Sequence, residues 1–453
     1  MQRPLEFRFY NQSAASMFIR SSTLCAALTL IAGCGSSMVA TGGDPGGPPA
    51  VATFTITGVP PTVVATRVGS GPFTAATLAS GTVRISLPSG VNNFAVAYAC
   101  SMSFPPSGTG PAGEVEQHVY EATTLDGNAF TGSCLAGVAP PPSTPATGTL
   151  TGSVDATAIP GVSTLAVDAT GNGYGSGSYS PFSNASSFGF AAATGSNRVL
   201  VLAYDNISSP PASAGSTTLA AAKNFDNQAV PGALNSGNPV VLAPSDETTF
   251  APITYSSLPA GFASEGTTAD LVTSFGKIIL AAPATAHYPV LPAGATESGD
   301  YYSINTIASS GTEVTSITTT STSAAPVAFA FPAAWVYAGP SPASTPIFNL
   351  AYAGFSGASG ISYLAYGSWQ PLGVGSRDLY FNFIHATGNY LNGGTSITFP
   401  DLSSVTGFLS PPVSGTFVNW DASVTQTAYT SQLASPSNAT VTSVVNSGRY
   451  IVP

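Results

Sequence analysis

Along much of this chain, short apolar runs alternate with polar residues and end at glycine, proline, asparagine or serine. In Asn93-Phe94-Ala95-Val96-Ala97-Tyr98 the larger apolar residues Phe94, Val96 and Tyr98 recur at every second position, the period of a β-strand. Val199-Leu200-Val201-Leu202-Ala203-Tyr204 is apolar throughout, as in a strand buried on both faces. Leu379, Phe381, Phe383 and His385 fall on one face of a further strand within 378–385, and Thr416-Phe417-Val418-Asn419-Trp420 reads as another. Sustained helical periodicity is missing, so the pattern predicts an all-β chain of short strands and turns.

The pattern also repeats. Ser89–Tyr98 and Thr194–Tyr204 both run from a turn into a strand, and both lead to proline-rich loops, Pro105-Pro106-Ser107-Gly108 and Pro210-Pro211-Ala212-Ser213. Gly127-Asn128 recurs as Gly237-Asn238, and Ala139-Pro140 as Ala243-Pro244. Val59-Pro60, Ile159-Pro160 and Leu258-Pro259 mark a period of about 100 residues, the size of an immunoglobulin-like sandwich. The chain thus resembles tandem immunoglobulin-like β-sandwich domains, expected at 51–145 and 146–250 and joined through Val138-Ala139-Pro140-Pro141-Pro142. Residues 251–453 begin like a third repeat and change character near 326, which leaves one larger or two smaller β modules open.

Composition narrows the range of partners. Charged residues make up 7% of the 453, and Ser, Thr, Gly and Pro take their place. Acidic residues outnumber basic ones 20 to 10. A nucleic-acid partner needs a basic patch to neutralise phosphates, and docking on anionic lipid needs the same, so both are excluded.

The amino terminus carries different information. Arg20 precedes the apolar run Leu24–Ala32, which is too short to span a bilayer but the length of a signal-peptide core. It closes on Ile31-Ala32-Gly33-Cys34, which resembles the lipobox of bacterial lipoproteins. That resemblance implies a signal peptide over 1–33, lipidation of Cys34, a flexible tether over 34–50 and attachment to a membrane through the lipid. Gly35 after the cysteine points to the outer membrane or cell surface within that family. Met17 offers a second, more compact start. The longest apolar stretch beyond the leader, Pro326–Tyr337, is broken by Pro332.

Of the other cysteines, Cys25 belongs to the leader, and Cys100 and Cys134 form an even pair that predicts a disulfide in an exported chain. His118, His287 and His385 are far apart in sequence and lack metal-ligand spacing, so no metal site is expected. Gly108-Thr109-Gly110-Pro111-Ala112-Gly113 matches a dinucleotide fingerprint only literally, because it contains a proline and follows another proline pair. Asp168-Ala169-Thr170-Gly171-Asn172-Gly173 lacks the closing glutamate of a calcium loop, Tyr179 standing in its place, and Gly354–Ala358 fails the nucleophile-elbow pattern at its last position. No catalytic residue and no cofactor is expected. The sequence is read as an envelope surface lipoprotein with a non-catalytic binding or structural role; the alternative is a membrane-anchored hydrolase acting on glycan from a site in 251–453. The candidate contact surface, for glycan or an envelope protein, is aromatic: Trp335, Tyr337, Tyr352, Trp369, Tyr380 and Trp420. That reading requires at least two of the three tryptophans to be exposed.

Overall fold

The structure, a computed structural model, describes residues 50–103, 113–134, 146–171, 174–181, 186–205, 217–273, 276–282, 284, 286–355, 360–371, 378–402, 404–427 and 439–453. The leader, Cys34, its tether and the Val138–Pro142 linker lie outside the described residues, as do most of 108–113 and the end of 168–173. The protein is all-β, and one pairing scheme recurs in its four units, the fourth having a two-stranded small layer without the parallel third strand.

The first unit comprises β1 (Ala50–Gly58), β2 (Val63–Val68), β3 (Thr74–Ala75), β4 (Thr82–Leu87), β5 (Asn93–Ser103), β6 (Gly113–Thr123) and β7 (Ala129–Cys134). Strand β1 pairs antiparallel with β4 and parallel with β7, while β2 pairs with β3 and β5, and β5 with β6. The second unit has β8 (Thr147–Asp155), β9 (Val162–Gly171), β10 (Tyr174–Pro181), β11 (Ser186–Ala193), β12 (Gly195–Asp205), β13 (Thr217–Val230), β14 (Gly232–Ala233) and β15 (Val240–Val241). Here β8 pairs antiparallel with β11 and parallel with β14 and β15, and β10, β9, β12 and β13 follow one another.

The third unit repeats this with β16 (Thr249–Tyr255), β17 (Ala263–Thr273), β18 (Gly276–Ala282), β19 (His287–Val290), β20 (Tyr301–Ser310), β21 (Glu313–Ser321) and β22 (Val327–Phe329). The fourth is built from β23 (Ile347–Asn349), β24 (Ile361–Trp369), β25 (Leu379–Thr387), the one-turn helix α1 (Gly388–Leu391), β26 (Ser396–Thr398), β27 (Phe417–Thr427) and β28 (Ala439–Ile451). Each unit is a β-sandwich with a small layer facing a four-stranded large layer. The second and fifth strands pair as in the immunoglobulin sandwich, but the third and sixth strands flank them in the same layer.

The large layers join edge to edge into one 16-stranded sheet, β10-β9-β12-β13-β18-β17-β20-β21-β28-β27-β24-β25-β6-β5-β2-β3. In space the units therefore run second, third, fourth, first. The β21–β28 join is antiparallel over eight residue pairs and the β25–β6 join is parallel over eight, whereas β13 and β18 meet through two pairs.

Residues directly opposite one another in a ladder share a face. On β12, Val199, Val201 and Ala203 pack under Leu150 and Val154 of their own small layer. The alternate residues Leu200, Leu202 and Tyr204 pack against Ala251 and Ile253 of the third unit. The same holds at the other end of the sheet. Phe94, Val96 and Tyr98 pack with Phe54 and Ile85, while Ala95 and Ala97 pack with Phe348 and Ile397 of the fourth unit. This double coverage explains why these strands are apolar at nearly every position.

Small layers of the third and fourth units thus cover one face of the long sheet, and those of the first and second cover the other.

Candidate functional site

Between those two small layers, the face of the third and fourth units opposite their own small layers has no roof among the described residues. It forms a trough whose floor is the middle of the long sheet. Two kinds of row cross this floor. Toward the third unit the rows are hydroxyls and amides: Asn305 Nδ2 donates to Ser316 Oγ (2.9 Å) and Thr318 Oγ1 (2.8 Å), and Thr425 Oγ1 donates to Ser443 Oγ (3.0 Å). Toward the first unit the rows are aromatic.

Tyr98, His118, Phe383, Tyr366, Asp421 and Ser447 stand opposite one another on β5, β6, β25, β24, β27 and β28. Ring centroids step from Tyr98 to His118 (4.9 Å), His118 to Phe383 (4.6 Å) and Phe383 to Tyr366 (5.2 Å). These distances are close to the spacing of the strands; Tyr98, His118 and Phe383 stack face to face, and Tyr366 is tilted by 37° on Phe383 at the open end. A neighbouring pair, Tyr120 and His385, stacks at 4.0 Å. The ladder begins in the core, where Tyr98 and His118 are buried, and emerges half-buried at Phe383 and Tyr366.

Its outer end is polar. The Tyr366 hydroxyl bonds to the Asp421 carboxylate. Burial pushes the Asp421 carboxyl up to about 6, and burial together with the nearby carboxylate raises the Tyr366 phenol. At the inner end, His118 Nε2 lies 3.2 Å from Glu116 Oε2. The trough therefore offers ring edges, which carry the positive rim of the π-system, beside hydroxyl, amide and carboxyl groups.

The aromatic residues singled out from sequence lie on the opposite, roofed face, and the expectation that they form an exposed platform is corrected. Trp335, Trp369 and Trp420 retain 4%, 5% and 8% of their accessible surface. Trp335 contacts Tyr337 at 4.8 Å and Tyr352 at 5.8 Å, and Tyr337 meets Trp420 edge-on at 5.5 Å. Trp369 and Tyr380 form a separate edge-on pair at 6.0 Å. Glycines make room for these rings: a Cβ at Gly448 would come within 2.5 Å of the Trp420 indole. Trp335 is also tied into the core by hydrogen bonds. Its ring N–H donates to the Ala351 carbonyl (2.9 Å), its backbone N–H to both oxygens of Glu313 (2.8 and 2.9 Å). Tyr352 lines a depression of about 410 Å³ together with Phe355, Ile361, Tyr363, Thr395 and Val424.

Cys100 and Cys134 are bridged, with Cα atoms 5.7 Å apart. The bond ties β5 of the large layer to β7 of the small layer in the buried core of the first unit. His118 and His385, remote in sequence, are brought within 6.0 Å, while His287 lies in the third unit against Phe250. Among the described residues no group of three or more His, Cys, Asp or Glu side chains could hold a metal ion. Asp226 and Glu297 hydrogen-bond to each other, and Glu297 bonds to Arg198 (3.1 Å), so this pair belongs to the seam between the second and third units.

Sequence reasoning placed Phe381, Phe383 and His385 on one strand face but not Tyr366 or Asp421. No local signal marks those two, because the row exists only once β24, β25 and β27 are in register. No protein-family model matches the chain, and no curated protein matches its sequence. No helix among the described residues is long and apolar enough to cross a membrane.

Proposed function

We propose that the chain is an extracytoplasmic lipoprotein, anchored through Cys34 to the outer membrane or cell surface, with a non-catalytic binding role whose contact surface is the trough. The observation that carries the binding role is the face of the third and fourth units left unroofed among the described residues, where the Phe383–Tyr366 end of the ring ladder meets rows of Ser, Thr and Asn. A hydroxyl-rich ligand suits that floor: Ser and Thr hydroxyls and Asn amides donate to and accept from sugar hydroxyls, the positive ring edges face sugar oxygens, and the chain's low charge gives ionic ligands little to hold. The lipid anchor is supported by Ile31-Ala32-Gly33-Cys34, and an exported setting by the Cys100–Cys134 bridge. Residues 428–438 and 372–377, between floor strands, are not described and take no part in this reading.

The test of the surface is a screen of residues 35–453 against immobilised glycans and envelope fractions. Retention should fall about tenfold, the equivalent of ~1.4 kcal/mol, when Tyr366 or Phe381 becomes alanine. Phe250→Ser, at a residue exposed on the third unit's small layer, should leave it unchanged. Retention that ignores both floor substitutions would remove the trough from consideration, and release of shortened glycan would favour the anchored hydrolase. The anchor has its own test. Cys34→Ser should move the protein from detergent-extracted membranes to the soluble exported fraction, and an unchanged partition would rule out acylation there.

A further inference from the structure

The first and fourth units, the two ends of the chain, share a seam, and two histidines stand at its centre. His118 on β6 and His385 on β25 lie diagonally across the parallel join, with ring centroids 6.0 Å apart. His385 is flanked by Tyr120 at 4.0 Å and Phe383 at 6.5 Å, with Leu364 opposite on β24. Its Nε2 is sealed from solvent and has no hydrogen-bond partner, and the same is true of Nδ1 of His118.

The titratable groups around the pair are few. Strand β5 contributes Tyr98, β6 contributes Glu116 and Tyr120, and Glu114 lies one step further along β6. Strand β24 contributes Tyr366, with Asp421 of β27 beyond it. Glu116 is engaged by the other nitrogen of His118, and Asp421 by Tyr366. The small layer of the first unit contributes Phe54, which packs on Tyr120.

We propose that this pair is a proton-operated latch, in which protonation of His385 loosens the docking of the first unit on the fourth. The neutral ring packs well in an aromatic row, but a cation there finds no acceptor for Nε2 and faces a second imidazole. Burial, then the neighbouring His118, hold the His385 pKa well below the ordinary histidine value. Once the seam opens, the ring titrates near 6.5. The docked state favours the unprotonated ring, so its stability is full above about pH 6.5 and is lost as pH falls. The opening constant then rises by up to tenfold per pH unit.

The latch is tested on the full chain in detergent by hydrogen exchange from pH 7.5 to 5, corrected for intrinsic rates. Amides of β6 and β25 should open about fivefold more at pH 5.5 than at 6.5, while β9 and β12 in the second unit stay level. His385→Phe should abolish that response, and His118→Phe, which keeps the titrating ring, should retain one. A histidine NMR titration of the wild-type chain provides a check that needs no variant: His385 must take up its proton in step with β6–β25 opening. An acid response that survives His385→Phe, spreads equally to β9 and β12, or is absent from the wild type overturns the proposal. So does a His385 that titrates near 6.5 while the seam stays closed.

Discussion

Asp300→Ala is expected to destabilise the protein by about 3 kcal/mol and to open the seam between the second and third units first. Arg198 begins β12 in the second unit, yet its guanidinium crosses to the third. There Nη1 and Nη2 donate to the two oxygens of Asp300 (3.1 and 2.8 Å), and Nη2 also donates to the Ala295 carbonyl (3.0 Å). Both side chains are almost completely buried, at 6% and 4% of their accessible surface. Asp300 has a second duty, since its Oδ2 accepts the backbone N–H of Glu297 (2.9 Å) and shapes the loop that receives the arginine.

Removing the carboxylate strands a buried cation, and this penalty usually exceeds what the pair contributed. Glu297 Oε1, 3.1 Å from Arg198 Nε but 40% exposed, offsets part of it, which places the estimate at the low end of the range of roughly 3–5 kcal/mol for breaking a buried pair. Backbone pairing at this seam is short, because β13 and β18 share two residue pairs, so the shared core around Leu200 and Leu202 and the Arg198 bridge carry most of it. Asp300→Ala should therefore accelerate exchange of the β13 and β18 amides well before those of β21 and β28, whose join runs over eight pairs. Equal acceleration at both joins would show that Arg198 serves the whole fold and not this seam.

What could be read from the sequence and what could not divide along a physical line. Strand character, the disulfide and the repeat are local or periodic, and they left marks. Val59-Pro60, Ile159-Pro160 and Leu258-Pro259 fall in the turn between the first two strands of the first, second and third units, between β1 and β2, β8 and β9, and β16 and β17. No such pair stands between β23 and β24, so the fourth unit keeps the pairing scheme without the marker. The joins between units left no mark at all. Phe383 meets His118 across 265 positions of sequence, and nothing near either residue announces the other.

The choice of face was equally hidden. Alternation shows that a strand has two faces, but not which of them another unit will roof. Trp369 and Trp420 fall on the roofed face of β24 and β27, while Tyr366 and Asp421 sit at positions of opposite parity, on the open one. The tryptophans of β24 and β27 therefore serve the core of the fourth unit and not the open face. His385, read as a residue on an apolar strand face, lies on that face, but two of its ring neighbours, His118 and Tyr120, come from a unit more than 250 positions away.

Loss of the Cys100–Cys134 bridge is expected to destabilise the first unit by roughly 3–4 kcal/mol, from the closure of its 34-residue loop. The position of the bond explains why the first unit has this need. Strand β7 is six residues long, lies at one edge of a three-stranded layer and pairs only with β1. Beyond that pairing, it is fixed to the large layer by the Tyr98 hydroxyl, which donates to the Ser133 carbonyl (2.9 Å), and by the bridge itself. In the second unit the corresponding strands β14 and β15 continue directly into the third unit's chain, whose β16 is packed into a shared core, so they are held from both sides. In the first unit the bridge supplies that restraint directly, tying β7 to β5 of the large layer. Denaturation of the oxidised and reduced protein, followed by exchange at β1 and β7, measures this directly. Reduction should lower the stability of β1, β4 and β7 and leave β8 and β11 unmoved; a shift below about 1 kcal/mol would mean that β7 is held by its parallel ladder with β1 and that the bond is dispensable to the fold.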